Sequence, residues 1–303
     1  MEIKTLDLNF QNQRQAIAAY LIVGSAGPVL VETGPGSTLE TLKARLGEHG
    51  YVPDDVRHVL VTHIHLDHAG AAGWWARHGA RVYVHHVGAP HLIDPTRLLS
   101  SARRIYGDDM EGLWGEMLPA PEEQVQALYD GDTVTVGDLR LTALDTPGHA
   151  YHHHVFRLGD VAFTGDAAAV RMPDSAFISV PAPPPEFDLP AWRETIRRLS
   201  HEGFATIYPT HFGPHDDVQG HLGQLSALLE QSAEFVRDHM QQGFGRDALL
   251  EAYQAWVKER ARAEGVADET FQTYEKANPT FMSVDGITRY WRKREEAQDR
   301  SPR

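Results

Sequence analysis

Thr62-His63-Ile64-His65-Leu66-Asp67-His68 places three imidazoles and one carboxylate within six residues. The stretch follows an apolar run, Val56 to Val61, that reads as a buried strand. After it come the small residues Ala69-Gly70-Ala71-Ala72-Gly73. In a loop, alternate residues turn to one side, so His63 and His65 can grip one ion while Asp67 and His68 grip a second. Imidazole nitrogen and carboxylate oxygen suit zinc, iron or manganese. The chain carries 18 histidines, so a histidine-rich surface loop is the competing reading. Four candidate ligands packed into one hexamer favour a metal site with further ligands downstream.

The bulk properties exclude several classes. A chain of 303 residues can bury a full core as one large domain or one with an appendage. Its hydrophobic content of 42% and charged content of 23% are those of a soluble globular protein. A formal net charge of -14 disfavours nucleic acid as a partner. With no cysteine, thiolate ligands and thiol nucleophiles are excluded. Met1-Glu2-Ile3-Lys4 lacks a signal-peptide pattern and no run reaches membrane-spanning length, so no membrane partner is expected and the cytoplasm is the default location.

Working outward from the hexamer, residues 1–33 read as strands, with apolar runs at Ala16–Val23 and Pro28–Val31 joined by Gly24-Ser25-Ala26-Gly27. Ser37, with Glu40 three residues later, predicts a capping box opening a helix that turns Leu39, Leu42 and Leu46 inward. Ala69 to Arg77 is expected as a helix facing the ligands with its N-terminus, followed by a strand at Arg81–His85. Residues 88–125 interrupt the alternation with short helices around Arg103–Tyr106 and Leu113–Leu118, a candidate substrate wall. Strands resume at Asp132–Val136, Leu139–Leu144, Val155–Leu158, Val161–Thr164 and Phe204–Tyr208. Prolines at 173, 181, 183, 184 and 185 exclude regular structure over 171–187. Asp188 is expected to cap a helix over Leu189–Leu199. From Gly220 the spacing of Leu222, Leu225, Leu229 and Val236 turns helical. A final helix over Thr280–Glu296 is expected, with Ala297–Arg303 frayed. The two strand blocks, in 1–85 and 132–210, predict two facing sheets in a mixed α/β fold.

Three further candidates end strands beside Gly or Pro: His149 in Thr146-Pro147-Gly148-His149, Asp166 in Thr164-Gly165-Asp166, and His211 in Pro209-Thr210-His211. The ordered set His63, His65, Asp67, His68, His149, Asp166 and His211 resembles the metallo-β-lactamase superfamily. The Glu32-Thr33-Gly34 turn resembles that family's early Asp-Thr-Gly, with Glu in place of Asp. The resemblance covers about residues 15–215. It implies an αβ/βα four-layer sandwich as a catalytic domain over 1–219, with 220–303 as a C-terminal helical extension. It implies two divalent metal ions, zinc first, with iron or manganese as alternatives. His63, His65 and His149 would hold one ion, Asp67, His68 and His211 the other, and Asp166 would bridge them. Asp67 and Asp166 are then the catalytic carboxylates that help hold a bridging hydroxide for attack on an ester, thioester or lactone carbonyl.

The superfamily hosts many reactions, so the fold does not name the substrate. Asp166 and the lack of cysteine argue against zinc β-lactamases, the intact His65 against flavo-diiron reductases, and the chain length against messenger-processing nucleases. The helical tail resembles the glyoxalase II plan, which implies a small-molecule substrate. The tail is then either a cover for the active-site mouth or a homodimer contact. A phosphodiesterase or nuclease of the same fold, and a non-hydrolytic di-iron redox or sensor protein, are the competing readings. Lactonases of the family place a tyrosine after the bridging aspartate. Here Ala167-Ala168-Ala169-Val170 follows, leaving Tyr106, Tyr151 or Tyr208 as stand-ins. Strand alternation over Tyr151-His152-His153-His154 predicts His152 and His154 on one face and His153 on the other, and Arg171 is a candidate for meeting an anionic substrate.

Overall fold

The structure is a computed structural model that describes residues 2–299. Its first sheet runs β1 (Glu2–Asp7), β2 (Ala18–Gly24), β3 (Gly27–Val31), β4 (His58–Leu60), β5 (Arg81–His85) and β6 (Val125–Leu128), in that order. The first three strands pair antiparallel and the rest parallel. Side-chain alternation explains the unbroken apolar runs here. On β2, Ala18, Tyr20 and Ile22 enter the core between the sheets, whereas Ala19 and Leu21 enter a second core under the outer helices. Those helices are α1 (Leu39–Glu48), α2 (Leu66–Ala69), α3 (Ala72–Arg77), α4 (Ala89–Ile93), α5 (Thr96–Tyr106) and α6 (Met110–Trp114).

The second sheet comprises β7 (Thr133–Val136), β8 (Leu139–Asp145), β9 (His154–Leu158), β10 (Val161–Gly165) and β11 (Thr206–Pro209), ordered β11-β10-β9-β8-β7. Its outer face is covered by α7 (Leu189–His201) and α8 (Val218–Gln241), followed by α9 (Arg246–Ala263), α10 (Asp268–Ala277) and α11 (Thr280–Asp299). Trp192, Leu222, Leu229, Tyr274 and Ile287 from this helical layer share one core with the sheet residues Leu141, Phe156 and Phe163. Helix, sheet, sheet and helix therefore stack as the expected four layers, with a helical C-terminal addition. No helix among the described residues is long and apolar enough to cross a membrane.

Asp188 caps α7 as expected, its carboxylate accepting from Ala191 N at 3.0 Å, worth ~1 kcal/mol. The capping box at Ser37 does not form. Ser37 donates instead to Leu113 O at 2.6 Å, Glu40 pairs with Lys43, and α1 opens behind Thr38 with no side-chain cap. The helix expected from Ala69 to Arg77 starts earlier, at Leu66, and breaks between Ala69 and Ala72, so Asp67 and His68 themselves ride on a helical turn. Strand β6 starts at the last residue of the 88–125 insertion and runs through residues assigned no element in the sequence. It pairs only along its β5 edge, and its four residues alternate too briefly for a pattern. Helix α11 stays regular to Asp299, so fraying does not begin at Ala297; Arg300 to Arg303 lie outside the described residues.

Candidate metal centre

All seven sequence-predicted ligands meet at one edge of the two sheets. His63 and His65 follow β4, Asp67 and His68 lie on α2, His149 sits in the β8–β9 loop, Asp166 follows β10, and His211 follows β11. Two glycines permit this approach. At Gly148 (φ +134) a Cβ would lie 2.3 Å from the Trp192 side chain. At Gly165 (φ +49) it would lie 2.4 Å from Thr62 Oγ1. A side chain at either would push His149 or Asp166 off the centre.

The donor atoms fall into two groups. In the outer group, His65 Nδ1 lies 2.9 Å from His63 Nε2 and 3.0 Å from His149 Nε2. In the inner group, Asp67 Oδ2 lies 3.3 Å from His211 Nε2 and 3.6 Å from His68 Nε2. Asp166 stands between them. Its Oδ2 is 3.2 Å from His149 Nε2, and its Oδ1 is 3.4 Å from His68 Nε2 and 3.5 Å from His211 Nε2. Ligands about 2.0–2.1 Å from a tetrahedral zinc stand ~3.3 Å from one another, close to these spacings. Buried within the inner group, His68 Nε2, His211 Nε2 and Asp166 Oδ1 have no hydrogen-bond partner in the protein. Such atoms are costly unless something else satisfies them, and a cation fits this donor set.

The opposite ring nitrogens are tied down, which fixes ring orientation and leaves the inward lone pairs free. His149 Nδ1 donates to Pro181 O at 2.8 Å, and His211 Nδ1 to Ala16 O at 2.7 Å. His63 Nδ1 is 3.1 Å from Thr62 Oγ1. His68 Nδ1 lies 3.0 Å from Glu32 Oε1, which also accepts from Thr62 Oγ1 at 2.5 Å and from Thr210 Oγ1 at 3.1 Å. Glu32 is fully buried with φ +67, a strained conformation held by these bonds. The turn noted in sequence is thus the support of the inner group. His65 is reversed, with Nε2 outward and 3.7 Å from Glu186 Oε2.

Electrostatics differ between the groups. Burial pushes the Asp67 carboxyl up, but His68 and His211 outweigh it and bring it down to about 2. Burial likewise opposes the charge on Asp166, and His149, His68 and His211 hold it well below the carboxylate range. Burial disfavours charge on His68, yet Asp67, Asp166 and Glu32 raise it well above an ordinary histidine. In the outer group burial dominates. It holds His63 well below its usual value and His149 at about 4, so both rings are neutral ligands at pH 7.

The sequence did not mark Glu186, and it singled out His152 only as one face of the His152–His154 stretch that could support the ligands or shuttle a proton. His152 Nδ1 accepts from Ile64 N at 3.4 Å, and its Nε2 lies 2.9 Å from Glu186 Oε2. This links the loop between His63 and His65 to the proline-rich strap over 181–187. The strap is held in turn by α11, where Ser283 Oγ donates to Val180 O at 2.8 Å. The alternation expected across His152–His154 fails because β9 begins only at His154. His152 and His153 both come to the centre. His153 Nδ1 is 2.8 Å from Thr146 Oγ1, and its Nε2 accepts from Asp166 N at 3.2 Å. His154 turns to His85, which pairs with Asp145. Arg171 does not reach the centre's cleft; it donates to Ser175 O at 2.7 Å. Of the three tyrosines, Tyr106 lines the cleft near Asp67, Tyr151 is exposed, and Tyr208 packs against Tyr20 and Phe163.

The chain is similar to several known proteins. Lactamase-like protein adaB of Aspergillus niger is 32% identical over 235 residues, covering 73% of this chain and 61% of its own. The atrochrysone carboxyl ACP thioesterase of Aspergillus fumigatus is 27% identical, covering 71% of this chain and 56% of its own. The chain therefore spans about three fifths of the length of these curated relatives. A metallo-beta-lactamase family protein from Thermus thermophilus superposes with a TM-score of 0.67 at 23% identity, covering 97% of this chain and 94% of that one. Residues 13–211 match the sequence profile of the metallo-beta-lactamase superfamily, and the chain belongs to that superfamily.

Proposed function

We propose that the chain is a dinuclear metal-dependent hydrolase of carboxylic thioesters and esters, lactones included. The observation that carries this reading is Asp166, whose two oxygens face separate ligand groups 3.2–3.5 Å away. His63, His65 and His149 would hold one ion and Asp67, His68 and His211 the other, zinc being the first choice for such nitrogen-rich sites. Two ions held there would supply Lewis acidity toward a carbonyl and acidify a water molecule.

The chain's own residues handle the rest. Asp67 and Asp166 line the cleft and keep their carboxylates ionised at neutral pH. Tyr106 lines it too, and burial followed by the Asp67 charge raises its hydroxyl, so it stays protonated and can hydrogen-bond a carbonyl oxygen. A thiolate leaves with little protonation, so thioesters make the smallest demand on this site. The ACP thioesterase among the relatives supports the same class. Arg97 and Lys276 are the Lys and Arg residues lining the cleft, and a net charge of -14 repels polyanions, which speaks against a nucleic-acid phosphodiester. Metal-reconstituted protein assayed on thioesters, lactones and phosphodiesters tests the reading. Turnover of carbonyl substrates is expected. Turnover confined to phosphodiesters, or iron-dependent oxygen consumption without hydrolysis, overturns it.

A further inference from the structure

The cleft at the metal centre is a cavity of about 330 Å³, and its walls come from chain segments far apart in sequence. One wall is a face of α5, where Leu98, Ser101, Ala102, Ile105 and Tyr106 recur at helical spacing. Tyr106, at the C-terminal end of α5, lines the same cleft as Asp67 and Asp166, whereas Arg97 is exposed at the other end of the helix. Nine residues of helix separate them, so the wall runs ~13 Å away from the centre. Phe10 and Trp114, stacked at 5.4 Å, and Met282 of the C-terminal addition close other sides. Ile105 and Val87 are 40% and 44% exposed, and both face this space. Exposed large aliphatics gathered beside a polar reaction centre mark a surface kept for a ligand.

We propose that this groove is the acyl site, taking thioesters or esters whose acyl group is apolar and long enough to lie along the ~13 Å face of α5, roughly an octanoyl chain. The acyl group lies along α5 with its carbonyl at the Tyr106 end. This rests on the hydrolase reading and narrows it to a substrate class. Short acyl groups leave the groove wet, and each added methylene gains ~0.8 kcal/mol on burial, close to fourfold in kcat/KM.

The test uses the full, metal-loaded chain and N-acetylcysteamine thioesters from acetyl to decanoyl. The kcat/KM is expected to rise at least 100-fold between acetyl and octanoyl. Ile105→Glu, at a part-exposed position, should cut the octanoyl-to-acetyl ratio at least tenfold, and Leu98→Glu provides the same reading if the first variant folds poorly. Independently of turnover, the metal-free chain should bind octanoate in isothermal titration calorimetry, and the same variants should weaken that binding tenfold. Turnover with a flat acyl-length profile overturns the groove assignment and leaves the hydrolase reading standing. Binding of octanoate without turnover of any carbonyl substrate overturns the hydrolase reading instead. If the variants alter neither the ratio nor the binding, the groove is not the acyl site.

Discussion

The two halves of the centre are built differently. The inner half, Asp67, His68 and His211, is braced by groups at the sheet ends: Glu32 after β3, Thr210 after β11 and Ala16 before β2. In the outer half, His65 and His149 lean on the proline-rich strap through Glu186 and Pro181 O, and the strap leans on α11, while His63 is held by Thr62. His68 and His211 are almost fully buried, whereas the His65 side chain is 24% exposed. The inner half takes its bracing from the core; the outer half shares that bracing at His63 and takes the rest, at His65 and His149, from a loop and a terminal helix. The inner site is therefore expected to hold its ion more tightly and to be hurt by core changes, the outer site by strap changes.

Asp166→Ala strikes the group shared by both halves. It should reduce metal content from two ions per chain to one or none and lower hydrolysis by about 1,000-fold or more, the ~4 kcal/mol scale of a lost charge-stabilising group. Metal analysis with initial rates reads this out, and two ions retained at full activity would break the division at Asp166. Glu32→Gln should come next. Its amide would oppose the Thr62 N–H now pointing at the carboxylate. Inner-site affinity should fall 10–100-fold, and stability by ~1–3 kcal/mol, measured by chelator competition and denaturant melts. Glu186→Gln should weaken only the outer ion, by about tenfold or less, and Ser283→Ala, acting through the strap, by less still. Equal loosening of both ions in either variant would mean the halves are not separately supported.

The smallest effect concerns the floor common to both halves. His221 on α8 donates Nε2–H to Ala168 O at 2.6 Å, below the Asp166 loop, and burial lowers its pKa to about 4. Its folded value lies below the unfolded 6.5, so it costs nothing above pH 6.5, and stability is lost as pH falls from there toward 4. Between pH 7 and pH 5 this group removes ~2 kcal/mol. His221→Gln should flatten that part of the stability–pH curve in metal-free protein. An unchanged slope would assign the loss to other histidines such as His154, held at about 3.

The candidate ligand set was readable because each of its residues stands out locally, in a dense hexamer or beside Gly or Pro at a strand end. Glu186 was not, because a lone glutamate in a proline-rich loop carries no pattern; only folding brings it to His65 and His152. Helix α2 was misplaced because its first turn begins inside the ligand motif, where His68 N and Ala69 N both bond to His65 O. The capping box at Ser37 was locally sound but lost to a tertiary partner, Leu113 O.

The sequence by itself determined the donor chemistry, the order of the ligands, the two blocks of strands and the absence of thiol chemistry. These follow from side-chain identity and from periodicities of two and 3.6 residues, which need no partner. Only the tertiary structure decided that Asp166 faces both groups, that Glu32 and Glu186 support different halves, and that α5 and the terminal helices wall one apolar groove. Those are distances between segments far apart in the chain, set by how two sheets and their covering helices bury their apolar faces together.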